Sequence, residues 1–81
     1  SDDTDALLIR LRAGEADAFA ELVDLYGSSM LRVARDYVPS RELAEDVVQE
    51  TWIAVLRGVG RFEGRSSLRT WIFSILINTG K

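Results

Sequence analysis

Eighty-one residues with a formal net charge of −3, and with neither histidine nor cysteine, allow one small domain, marginal unless well-packed helices dominate it. Disulfides, thiolate and imidazole zinc sites, Cys or His nucleophiles and the Ser/His/Asp triad are excluded by composition alone. No apolar run approaches the roughly 20 residues of a membrane span, and the start SDDTDALL is acidic, unlike a signal peptide, so a soluble chain with no membrane partner is expected and a cytoplasmic location is permitted.

Punctuation divides the chain into four helical segments. Thr4 or an adjacent Asp is a cap for a first helix over about 5–13, which Gly14 closes. A second begins at Glu15 or Asp17. Its apolar positions Phe19, Leu22, Val23, Tyr26, Met30, Leu31, Ala34, Tyr37 and Val38 keep helical spacing. It is expected to run to about Val38, with a bend or break at Gly27-Ser28-Ser29. Pro39 stops it, because proline lacks the amide proton and disfavours helix at the residue before it.

Ser40 caps a third helix over about 41–58, ending at the pair Gly58 and Gly60. On a helical wheel Leu43, Ala44, Val47, Val48, Thr51, Trp52, Ala54, Val55 and Val59 fill the core half. Glu42, Glu45, Asp46, Gln49, Glu50 and Arg57 fill the other, with Ile53 and Leu56 among them. Apolar groups inside a charged arc suit docking: an anchor that loses water, ringed by polar groups that set register. Scattered surface apolar residues are the plain alternative.

Asp46 and Glu50 also share a face as a carboxylate pair. A general acid, however, needs a pocket that removes water and moves its pKa, which a convex helix does not offer. No glycine-rich phosphate loop or coherent hard-cation ligand set is present. The sequence therefore does not read as an enzyme, and no cofactor or metal site is expected.

The connection RFEGRSSLR sets Arg61, Arg65 and Arg69 among Phe62, Gly64, Ser66 and Ser67. Cations, an aromatic ring, backbone freedom and the amides of a helix start are the ingredients for holding an unstacked nucleotide. An ordinary helix connection plugged by a buried Phe62 is the alternative. Ser66 or Ser67 caps the fourth helix, from about 68 to the end. Its core seam is Leu68, Trp71, Ile72, Ile75 and Leu76, with Arg69 next to Phe73. Thr70, Ser74 and Asn78 form a polar stripe beside Trp71. That stripe suits contact with bases and sugars, or simply marks the solvent side. No period-two alternation competes, so the fold class is all-α, a compact bundle of about four helices.

Charge follows this division. Residues 1–30 carry seven acids and two arginines, residues 31–56 five acids and three arginines, and residues 57–81 carry Arg57, Arg61, Arg65, Arg69 and Lys81 against Glu63 alone. The net values are −5, −2 and +4. A basic C-terminal quarter on an acidic body suits phosphate at one side only, although an ordinary solvated surface has the same composition.

Taken in order, AEDVVQETW, VLRG, RFEGRSSLRTWIFSI and the later Asn resemble region 2 of bacterial RNA polymerase sigma factors, of the compact extracytoplasmic-function class. GEADAFAELVDLYGSSMLRVAR looks like the first conserved part of that region, so the resemblance covers nearly all of 1–81. It implies a transcription initiation domain that binds core polymerase and recognises and melts the promoter minus-ten element. Asp46, Gln49 and Glu50 then meet the clamp helices of the largest polymerase subunit, with Ile53 as anchor and Arg57 on the same face. The loop 60–67 becomes the pocket for a base flipped from the single-stranded non-template strand. The DNA contacts expected are Arg61, Phe62, Arg65, Ser66, Ser67, Arg69, Thr70, Trp71, Ser74 and Asn78. An anti-sigma protein is left open as a further partner.

Departures from the family pattern matter too. Trp71 is followed by Ile72 where housekeeping members have a second tryptophan, as is usual for the compact class, and Gly80 stands where the family continues into an arginine-rich helix end. The second domain, which reads the minus-35 element, is absent, so a fragment with weak autonomous promoter binding is expected. A helical interaction module that never touches nucleic acid, and a small duplex-DNA reader, are the rival classes.

Overall fold

The structure, a computed structural model, describes residues 2–81, and side chains from residue 6 onward. Four helices, α1 (Asp2–Arg12), α2 (Ala16–Ala34), α3 (Arg41–Gly58) and α4 (Leu68–Gly80), make up the all-α bundle, with a 3₁₀ turn at Val59–Arg61 after α3. No described residue is in a strand.

Helix α1 begins three residues before the expected start; a side-chain cap at Thr4 lies outside the described side chains. Its end is the one expected. Gly14 adopts φ +79°, its amide donates to the Leu11 carbonyl and the Glu15 amide to that of Arg10, the paired bonds that close a helix with a left-handed residue. Arg10 reaches from α1 to Glu21 of α2 at 2.5 Å and to Glu15 at 3.5 Å. The bond to Glu21 is the main cause holding the Arg10 guanidinium above its ordinary pKa.

Helix α2 departs from expectation twice. It passes through Gly27-Ser28-Ser29 without a break. Leu22 and Met30, buried on either side of that triplet, hold it against the core, and packing outweighs the roughly 1 kcal/mol of one helical glycine. It also ends at Ala34 rather than near Val38. The amides of Asp36 and Tyr37 donate to Val33 and Ala34, unwinding the chain in three-residue turns before Pro39, consistent with the restriction proline places on Val38.

Helix α3 has the expected bounds. Ser40 Oγ accepts the Leu43 amide at 3.2 Å, a cap contributing about 1 kcal/mol. The core joins Leu11, Leu22, Met30, Val55, Leu68, Ile72 and Leu76 from all four helices. Two members of the expected core set are corrected. Leu43 is 46% exposed, because it sits in the first turn of α3, where Ala44 makes the buried contact; Tyr37, beyond the true end of α2, is 46% exposed as well. The radius of gyration, 12.4 Å, is near the ~12 Å expected of one compact domain of this length. Among the described residues, no helix is long and apolar enough to cross a membrane.

Candidate functional site

Two surfaces meet near the end of α3. On its outer face Asp46, Gln49, Glu50, Ile53 and Arg57 are all exposed, and Ile53 and Leu56 are each half exposed. Helical periodicity decides this: the same helix buries Ala44, Thr51, Trp52 and Val55 opposite. The Thr51 hydroxyl, fully buried, donates to the Val47 carbonyl at 2.8 Å. Glu50, Ile53, Ala54, Arg57, Gly58 and Arg61 line an open depression of about 580 Å³. Asp46 and Gln49 stand outside it, toward the start of the helix.

The second surface is the connection to α4. Arg61, Phe62, Glu63, Arg65, Ser66 and Trp71 line a pocket of about 200 Å³. That volume is below the roughly 300–1,000 Å³ of ordinary ligand clefts, and so suits one ring system rather than an extended ligand. Arg61 lines both depressions. Gly64 in this loop adopts φ +75°, a conformation that side chains resist. Arg65 pairs with Glu63 at 3.3 Å, both well exposed, so the pair adds little to stability.

Aromatic packing fixes the pocket wall. Phe62 is buried: it is the plug of the connection rather than an open stacking platform, and reaches the pocket only as part of its lining. Its ring lies 4.9 Å from that of Trp71, tilted by 35°. Trp71 corrects the expected seam of α4. The buried residues are Leu68, Ile72 and Leu76, four apart, while Trp71 and Ile75 flank them half-buried. The indole rests on the backbone of Gly58, where a Cβ would meet its Cζ2 at 3.1 Å. A glycine at the end of α3 thus lets the indole approach.

The remaining expected residues divide by what their side chains do. Ser67 Oγ accepts the Thr70 amide at 3.1 Å and bonds the Thr70 hydroxyl at 2.9 Å; it caps α4 and does not line the pocket. Thr70, Ser74 and Asn78 are exposed as a stripe, with the Ser74 hydroxyl donating to the Trp71 carbonyl at 2.7 Å. The Arg69 guanidinium sits 4.8 Å above the Phe73 ring, held there by cation–π attraction. Two residues that sequence reasoning passed over take part: Glu63 lines the pocket, and Arg12 bonds the carbonyls of Val59 and Phe62 from α1. The charge of Glu63 inside a basic segment was a visible signal; Arg12 gave none.

Residues 22–81 match the family model for Sigma-70 region 2. The chain belongs to the Sigma-70 region 2 family. It is similar to the ECF RNA polymerase sigma-E factors of Escherichia coli (strain K12) and Salmonella typhi, 38% identical to each over 79 residues, which are 96% of this chain and 41% of each relative. That of Haemophilus influenzae is 38% identical over 76 residues, 94% of this chain and 40% of the relative. The chain thus spans about two fifths of the curated relatives it matches. Its fold is similar to the NMR structure of an engineered region 2 of sigmaE in complex with GTAAAA, with a TM-score of 0.83 and 33% identity, over 93% of this chain and 78% of that one. The all-α fold class and the sigma region 2 resemblance read from the motifs are both borne out.

Proposed function

We propose that residues 1–81 act as a promoter-melting domain that docks on core RNA polymerase by the outer face of α3 and captures one unstacked base of the minus-ten non-template strand in the pocket at Arg61–Trp71. The observation that supports it most is that pocket: about 200 Å³, walled by Trp71, flanked by arginines, in a chain whose solved relative is in complex with GTAAAA. Asp46, Gln49, Glu50 and Arg57 surround Ile53 as a polar ring surrounds an anchor, and the clamp helices of the largest polymerase subunit are the partner. Such a domain works where polymerase meets the chromosome, in the cytoplasm.

In the pocket, Arg61 and Arg65 hold phosphates, while Ser66 and Glu63 offer polar groups to a base edge. A carboxylate accepts bonds from exocyclic amino groups, which favours a base carrying one. Ser67, its hydroxyl engaged by Thr70, serves as the cap that shapes the loop. Thr70, Ser74 and Asn78, with Arg69, meet the upstream edge of the open bubble. Opening is driven by binding rather than covalent chemistry, since base capture offsets the few kcal/mol of unstacking.

Fluorescence anisotropy with single-stranded oligonucleotides based on GTAAAA, changed one base at a time, in the presence of core polymerase, tests the reading. Affinity should depend strongly on one position. Arg65→Ala should weaken all sequences alike and flatten the salt dependence, because phosphate contacts carry no sequence information. Indifference to every base, or preference for duplex, would refute base capture.

A further inference from the structure

We infer that Arg12 is a positioning residue for the base pocket: a clamp from α1 that fixes the 3₁₀ turn from which the pocket's first wall rises. Its Nε donates to the Val59 carbonyl at 3.1 Å and its Nη2 to the Phe62 carbonyl. These two acceptors bracket the turn Val59–Arg61, and the Val59 carbonyl also accepts the Phe62 amide at 3.3 Å. A planar guanidinium with donors at fixed angles sets the relative orientation of two carbonyls, as an ammonium cannot. The carbonyls at a helix end carry partial negative charge, which strengthens the bonds to a cation.

The consequence reaches the pocket through the chain itself. Arg61 and Phe62, which line it, are the last residue of the turn and the residue after. Phe62 in turn supports Trp71. Downstream, Ser67 fixes the start of α4 through Thr70. The loop is thereby held at both ends, and only residues 63–66, exposed throughout, lie between the fixed points. Arg12 itself stands on a helix tied to α2 by the Arg10 ion pairs. The inference rests on the base-capture reading, and its meaning for the turn is separable from it.

Three variants of the 81-residue chain test the clamp: Arg12→Gln, Arg12→Lys and, as control, Arg10→Gln, which breaks the α1–α2 ion pairs but leaves the bonds of Arg12. Two quantities are read: the ratio of affinities for the preferred and the changed oligonucleotide in the presence of core polymerase, and the indole N–H resonances of Trp71 and Trp52 without DNA. Arg12→Gln should lower the ratio by about tenfold, or to unity, the scale of one charge-assisted hydrogen bond. It should keep the salt slope, since Arg12 spends its donors on carbonyls, and should move the Trp71 resonance while leaving Trp52 in place. Arg12→Lys, able to reach one carbonyl, should fall between. An unchanged ratio in a wild type that discriminates, together with an unmoved Trp71, would overturn the clamp alone. Equal loss in Arg10→Gln would also overturn it, by tracing the effect to the docking of α1. A wild type that shows no base preference would instead count against base capture, and the Trp71 resonance would still decide whether Arg12 fixes the turn.

Discussion

The outer face of α3 and the pocket before α4 adjoin each other and share Arg61, yet they are built by opposite means. The first is the outer face of one regular helix, each side chain placed by its own backbone, with a wide, open depression beside Ile53 and Arg57. The second is a concavity assembled from a turn, a glycine-hinged loop and an indole on another helix. So wide and open a face suits a large partner that covers it. A concavity of about 200 Å³ admits only a small group, which on the proposed reading is an unstacked base. Mutations should therefore separate the surfaces: changes on α3 should cost binding and spare the fold, while changes to the pocket wall should cost both.

The largest expected effect is at Trp71, which is wall and packing at once. Trp71→Ala should lower stability by about 2–3 kcal/mol, at or below the range of a fully buried aromatic, because the half-buried indole covers Gly58 and Phe62. Thermal melts check this. Asn78→Ala and Ser74→Ala, exposed on the same helix, should leave the melting temperature almost unchanged and reduce promoter opening. Equal loss of stability in all three would erase the distinction between wall and stripe.

Next comes Ile53→Asp. The side chain is half exposed, so circular dichroism should show intact helicity, while association with core polymerase weakens by about 2 kcal/mol or more. Gln49→Ala and Glu50→Ala should cost less each. Unfolding by Ile53→Asp with unchanged binding per folded molecule would move Ile53 into the core.

The smallest effect sharpens the comparison from outside both surfaces. Gly27→Ala, in the middle of α2, has room for its Cβ, the nearest atom being Val23 Cγ1 at 3.7 Å. It should stabilise the fold by about 0.5–1 kcal/mol through the unfolded chain and change neither polymerase nor oligonucleotide affinity. A loss of stability in urea melts would show that the glycine matters to packing.

The difference between the surfaces also explains what was legible in the sequence. Local chemistry was: Gly14, Ser40 and Ser67 each mark a helix end within a short stretch of chain, and the α3 face follows from a period of 3.6. Leu43 was misjudged because periodicity says which way a residue points and not whether a neighbouring helix reaches that far, and Tyr37 because the helix carrying the period ends at Ala34. Gly27 misled for the converse reason, its propensity being overruled by Leu22 and Met30. The pocket was legible as ingredients and not as an assembly. Phe62 became a plug, and Trp71 a wall, through contacts between distant positions. Arg12 meets its acceptors 47 and 50 residues away, and no local pattern announces such a bond.

One measurement tests the separation of the surfaces most directly: an NMR titration of the isotope-labelled chain with a single-stranded minus-ten oligonucleotide, and separately with a helical-hairpin fragment of the polymerase clamp. Two tryptophans serve as internal reporters, Trp52 buried in the core and Trp71 half-buried at the pocket. The oligonucleotide should shift the Trp71 indole and the amides of 61–66, leaving the Trp52 indole and the amides of 46–53 in place. The clamp fragment should shift the amides of 46–57 and leave 63–66 unmoved. Oligonucleotide shifts centred on the outer face of α3, or a clamp fragment that perturbs the pocket as strongly as the helix, would contradict the assignment of the two surfaces.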